Sequence, residues 1–238
     1  MKKRWTDALR RTVATILFKD KYQRPVKGEV FMRLWDPTTG QLLDRNGNPI
    51  LGQTVDPMNL SGSPCTVHIP NIIVRDAGVL IARLMKNNSE PYHGVYALAV
   101  GTGDAGWDPM NPPVATYTQR SLVAELSRKT FSSTDFIWPA DGTTPGGVAN
   151  VPTNIVDFTT IFGTGEAVGP LVEMGLVGGN CSDSVLSPNP VPAGAYDPTV
   201  DLSAGGTGDI DTLVNALNYP VINKPAPANL GLTWRLTF

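Results

Sequence analysis

Leu230-Gly-Leu-Thr-Trp-Arg-Leu-Thr-Phe238 is the stretch that decides the fold class. Leu230, Leu232, Trp234, Leu236 and Phe238 share one parity, and Gly231, Thr233, Arg235 and Thr237 the other. That is the period of two of a strand with one face on a core and one on solvent. Burial of Phe238 on the apolar face would tie the C-terminus into a sheet. Working outward, Ile155–Phe162 alternates in the same way, and Leu171–Val177 is apolar around Glu173. Val95–Val100 is an apolar run closed by Gly101-Thr-Gly103, and Ser121–Leu126 with Lys129–Phe131 reads as a further strand or bulged pair.

Towards the N-terminus, Gly28–Leu34 reads as a strand and Asp36-Pro-Thr-Thr-Gly40 as a turn. Leu42–Leu43 then leads into Asp44-Arg-Asn-Gly-Asn-Pro49, where Asn46-Gly47 is a strong hairpin signal. Residues 52–70 read as an irregular loop. Asn71–Asn87 is a helix candidate carried by Ile72, Val79, Leu80, Leu84 and Met85, with Asn87-Asn88 to end it. Two Gly/Pro-rich loops, about 139–153 and 178–209, separate the later strands, and loops this long usually carry contacts or insertions. The fold expected is mainly β: an antiparallel β-sandwich with an N-terminal amphipathic helix and one further peripheral helix.

Composition fits that reading. The 238 residues are 41% hydrophobic, enough for one large β core. Gly 24 and Pro 21 make about a fifth of the chain, below the level of low-complexity sequence and suited to many short strands joined by turns. No apolar run reaches membrane-spanning length, and the charged N-terminus is not followed by the apolar stretch of a signal peptide. Cys65 and Cys181 lie far apart without a CxxC motif, which fits a reducing compartment.

The net charge of −2 conceals an asymmetry. Met1–Trp35 holds ten Lys/Arg against three Asp/Glu, and the rest holds nine against eighteen. Beyond Phe131 only Lys224 and Arg235 are basic. Residues 3–18 show helical spacing, with Trp5, Leu9, Val13, Ile16 and Leu17 in one stripe and Arg4, Arg10 and Arg11 among the other positions. Segment 19–27 is too polar to cover that stripe. The chain therefore divides into a basic helical arm and linker, 1–27, and a β body, 28–238. Trp5, Leu9, Val13, Ile16, Leu17, Arg4, Arg10 and Arg11 are the expected partner-binding residues, toward protein and not toward nucleic acid or membrane. A basic arm on an acidic body suits docking between copies.

Motifs for chemistry are weak. Gly101-Thr-Gly103-Asp-Ala-Gly106 spells GxGxxG, but dinucleotide binding needs a helix to open within it. Pro109, Pro112 and Pro113 leave no room for that helix, so a turn and loop is expected. His68 and His93 are the only histidines, and no metal-ligand cluster surrounds either. Asp44-Arg-Asn46-Gly-Asn48 and Asp209-Ile-Asp211 are oxygen-rich, but the first lacks EF-hand spacing. There is no GxSxG nucleophile motif. Glu166 and Glu173 are the first carboxylates to check for a glycosidase pair, although Glu173 on a strand is expected to point outward or pair with an Arg such as Arg120. The expectation is a chain with no cofactor, no metal and no catalytic residue: not an enzyme.

A resemblance sharpens this. Ile73-Val-Arg-Asp-Ala-Gly78 leads into Val95-Tyr-Ala-Leu-Ala-Val-Gly-Thr-Gly103; Arg120-Ser-Leu122 follows, then Leu171-Val-Glu-Met-Gly-Leu-Val-Gly-Gly179 and the closing Leu232-Thr-Trp-Arg-Leu-Thr-Phe238. This order resembles small β-sandwich virion structural proteins of tailed bacteriophages and covers about half the chain. The N-terminal helix and the Arg33–Gly40 hairpin lie outside it. It implies a structural component of a virion, made in the host cytoplasm. Such a component would assemble through its body and arm with copies of itself and other virion proteins, in the tail, baseplate or neck. The alternatives are a carbohydrate- or receptor-binding module of a fibre, presenting Trp107, Tyr117, Trp138 and Tyr196 from loops, or a capsid decoration protein. A hydrolase using buried carboxylates is the third class.

Overall fold

The computed structural model describes residues 27–86, 93–139, 152–179, 189–192 and 211–238. The expected helix at 3–18 and all eight arm residues named for partner binding lie outside them, as do Cys181, Tyr196 and most of the two long loops. Among the described residues the chain is mainly β. Its strands are β1 (Lys27–Trp35), β2 (Gln41–Leu43), β3 (Pro49–Thr54), β4 (Val67–Ile73), β5 (His93–Gly101) and β6 (Glu125–Thr130). They continue as β7 (Phe136–Ile137), β8 (Ile155–Phe162), β9 (Gly169–Gly179), β10 (Val191–Pro192), β11 (Asp211–Lys224) and β12 (Asn229–Thr237). One α-helix, α1 (Arg75–Lys86), and a 3-10 turn at Leu60–Gly62 complete the described elements.

All strand pairs are antiparallel, and the strands join into one sheet in the order β10-β6-β5-β9-β11-β4-β1-β12-β8-β7. The sheet curls into a half-barrel. β4 is its corner: residues 67–71 pair with β1, and Ile72 and Ile73 pair with β11. The two halves thus hang on one strand and bring their inner faces together. Val30, Met32, Leu232 and Trp234 from one half share a core with Leu98, Val100, Met174 and Leu217 from the other. The expected sandwich is not drawn as two separate sheets; β4 keeps the layers continuous.

β12 runs between β1 and β8 with unbroken register. Its apolar parity, Leu230 to Leu236, is buried as the alternation demands. Phe238 departs from the expectation: its side chain is 53% exposed. The chain end is instead held by polar bonds, Phe238 N–H to Asn154 O at 2.9 Å and Asn154 Nδ2 to Phe238 O at 3.1 Å.

Other sequence expectations shift in detail. The helix starts at Arg75, because Asn71–Ile73 ends strand β4 and β-branched Ile72 and Ile73 suit a sheet better than a helix. The supposed irregular loop 52–70 contains the end of β3, the 3-10 turn and the start of β4. The Asp44–Pro49 turn forms as expected, with Gly47 at φ +85° and Asp44 Oδ1 accepting from Asn46 N and Asn48 N at 2.8 and 2.9 Å. Those N–H bonds, Asn48 foremost, hold the Asp44 carboxyl below its ordinary range.

The free edges of the sheet approach each other through side chains. Phe131, just past β6, packs on Phe136 of β7 and Phe158 of β8, with ring centroids 5.4 and 5.7 Å away. Lys129 of β6 reaches across to donate to Ile161 O at 2.8 Å. On the outer face of β1, β2 and β12, Trp35, Leu42, Val55 and Leu60 make a second small core under the 3-10 turn.

Candidate functional site

Glu173, the odd residue of its apolar strand, points away from the main core as one of the sequence expectations had it, but loop 102–124 covers that face and leaves it fully buried. Its carboxylate accepts from Gly103 N at 3.1 Å, Val123 N at 2.9 Å and Ala124 N at 2.7 Å. Burial pushes its pKa up, and Glu125 adds to this, against the three N–H bonds. Arg120, the partner suggested from sequence, pairs with Asp76 at 3.1 Å instead. The glycines of GxGxxG follow from this packing. A Cβ on Gly101 would lie 2.5 Å from both Ala124 O and Glu173 Oε1, and Gly103 sits at φ +66° against Trp107 and Val172. No helix opens after the motif; residues 102–124 are turns and irregular loop. Glu173 is therefore the peg that fastens both ends of the β5–β6 connection to β9.

Glu166 sits elsewhere. Its Oε2 accepts from Lys129 Nζ at 2.7 Å and from Gly163 N at 2.7 Å. Burial would raise its pKa, but the Lys129 bond, the Gly163 N–H and the charges of Lys129 and Lys224 outweigh it and hold the carboxyl low. Lys224 is 1% exposed and donates to Gly163 O at 2.9 Å and Ala228 O at 2.8 Å. Glu166 and Glu173, the two carboxylates singled out from sequence, share no bonding partner: Lys129 and Gly163 hold the first, and loop 102–124 the second.

The feature the sequence did not reveal is a groove of about 620 Å³ on the outer face of the sheet. Its floor is the polar parity of β8 and β12: Asp157, Thr159 and Arg235. Arg235 grips Asp157 with both arms of its fork, Nε to Oδ1 at 2.8 Å and Nη2 to Oδ2 at 2.7 Å. That bond, foremost, holds the Arg235 pKa above its ordinary value in spite of burial. One wall is the turn Pro57–Leu60; the other is the β6–β7 connection, with Asn189 beside it. In that connection Asp135 Oδ2 accepts from Ser132 N at 2.6 Å and Ser132 Oγ at 2.9 Å, which fixes the turn. Beside the floor, Phe31 of β1 stacks on His68 with centroids 4.3 Å apart and lies under Arg235 at 5.6 Å. The aromatics expected on binding loops, Trp107, Tyr117 and Trp138, do not line this groove.

A second surface stands out at the groove's rim. β3 pairs only with β2, so among the described residues its other edge meets no strand. Leu51 on β3 is 88% exposed and Met58, at the groove's lip, 95%. Among the described residues no group of three or more His, Cys, Asp and Glu side chains is placed to hold a metal ion, and no helix is long and apolar enough to cross a membrane. Compared with protein-family models the chain matches none, and comparison with curated proteins likewise finds no match.

Proposed function

We propose that this chain is a structural component of a tailed-phage virion, built into the tail, baseplate or neck by contacts between copies and with other virion proteins. The observation that carries the reading is the open edge of β3. An edge strand presents a row of N–H and C=O groups that can pair with another chain, and proteins that stay monomeric usually cover or blunt such an edge. Here the edge runs six residues and ends beside two exposed apolar side chains, Leu51 and Met58. The curled body, with its halves joined at β4, serves as a sandwich that packs in a ring or stack, and the basic arm of residues 1–27 latches to acidic neighbours. The body's chemistry is structural on this reading: the buried charges Glu173 and Lys224 bond to backbone groups, as parts of a scaffold do.

The test is sedimentation of the purified full chain over a range of concentrations, alongside a Leu51→Asp/Met58→Asp double variant. Both side chains lie outside the core, so the variant should keep its fold. The wild type is expected to form larger species as concentration rises, and the variant to remain a folded monomer. A double variant that assembles as readily as wild type sinks the role given to this edge.

A further inference from the structure

We propose that the groove between β8 and the Pro57–Leu60 turn is a binding site for an uncharged saccharide. Its volume of about 620 Å³ falls in the range of small-ligand sites, roughly 300–1,000 Å³. Its cations are already engaged: Arg235 is paired with Asp157, and Lys129 with Glu166 beside the groove, while Asp135 is held by Ser132. A lining whose cations are already paired has none to spare for a phosphate or a nucleotide, which removes the usual anchor for anionic ligands.

What remains is the chemistry of hydroxyl recognition. Ser132, Thr134 and Thr159 bring hydroxyls, and Asn59 and Asn189 bring amides, all of which both donate and accept. A sugar hydroxyl does the same, so each can meet it in either sense. The carboxylate of Asp157 is buried beneath them and holds the Arg235 guanidinium in place through both oxygens. Between these polar groups, Phe131, Ile137 and Ile161 supply apolar surface suited to the C–H face of a pyranose ring.

The floor is also built to stay in place. Asp157 is fully buried and its ion pair with Arg235 is bidentate. A buried ion pair gains little stability over apolar side chains of the same volume. Set at the base of an open groove, the pair gives the floor fixed polarity, which a polyhydroxylated ligand needs and a packed core does not. The three contributing segments are fixed too, by the β8–β12 ladder, by Ser63 Oγ accepting from Asp56 N at 2.8 Å, and by Asn189 Nδ2 donating to Thr130 Oγ1 at 2.7 Å.

The experiment uses the full chain on an array of neutral, sulfated and sialylated oligosaccharides, followed by calorimetric titration with the best neutral ligand. Thr134→Val and Asn189→Ala alter exposed groove positions, and Gln53→Ala, on β3 and outside the groove, is the control. Retention of neutral glycans is expected, with affinity reduced about tenfold or more by each groove variant, the scale of one lost hydrogen bond, and unchanged in the control. Unaltered melting temperatures would show that the variants are folded. Failure to retain any neutral glycan, retention of acidic glycans alone, or neutral binding that survives both groove variants overturns the proposal. Neutral binding lost equally in the control also overturns it, because the site would then lie on the β3 edge. The assembly reading rests on the β3 edge, which shares only Met58 with the groove's lip, and is judged by sedimentation alone.

Discussion

Glu173 places a buried carboxylate where both ends of the β5–β6 connection offer it backbone N–H donors, three in all. An amide at this position would turn its NH2 toward at least one of those donors, leaving a buried N–H unpaired. Glu173→Gln is therefore expected to lower the unfolding free energy by about 1–3 kcal/mol, read as a lower urea midpoint at unchanged m-value. Lys224 makes a different prediction. Burial, with the Lys129 charge adding to it and the Glu166 charge opposing, pushes its pKa from 10.5 down to about 8. The unfolded chain then holds a proton that the native chain has lost between pH about 8 and 10.5, so this residue makes stability rise with pH across that window. Lys224→Met should remove that part of the rise, and urea titrations of both proteins at the two ends of the window measure it. A wild-type advantage that stays constant across the window would contradict the assignment. A clue to Lys224 and Arg235 was present in the sequence: they are the only basic residues after Phe131, and both are committed to internal bonds. Glu173 was visible as an oddity, but its burial depends on loop 102–124 folding back over β9, and no local pattern encodes that return.

At the level of elements, periodicity was a good guide where apolar and polar residues alternate along a strand, even though the polar face is not fully wet: Asp157 and Thr233 are buried. β8 and β12 alternate cleanly, and their limits were legible to within a residue or two. β11, the longest strand, carries Asn215, Asn218, Pro220 and Asn223, and its pairing with β9 breaks between Asn218 and Ile222. Such residues read as turn formers, and only the tertiary ladder overrides them. The groove was illegible for a related reason: its floor comes from two strands and its walls from loops far away in sequence. Gly231 shows how closely the outer layer is fitted. A Cβ there would lie 2.8 Å from the Trp35 ring, which closes the small core beneath the 3-10 turn. Gly231→Ala should therefore cost about 1–3 kcal/mol by overpacking. Near-ultraviolet dichroism should report the displaced tryptophan, and a variant as stable as wild type would show that the ring has room to move.

For the whole molecule, the asymmetry of charge joins the arm to the body. On the proposed reading, the basic segment 1–27 of one copy would attract the acidic remainder of another, which would favour orientation and speed of encounter more than affinity. Deleting residues 1–24 is expected to leave a folded body, since β1 begins at Lys27 and the main core draws on residues from Val30 onward among the described residues. The truncated chain should incorporate poorly into its assembly, as measured by sedimentation beside the full chain; normal incorporation would remove the arm from the account. The most direct test of the central claim is a cryo-electron microscopy reconstruction of the assembled form, taken from particles that carry the chain or from the concentrated protein. The account predicts a neighbouring chain's strand hydrogen-bonded along the open edge of β3, with Leu51 and Met58 buried in that contact. A reconstruction in which this edge faces solvent in every copy would contradict it.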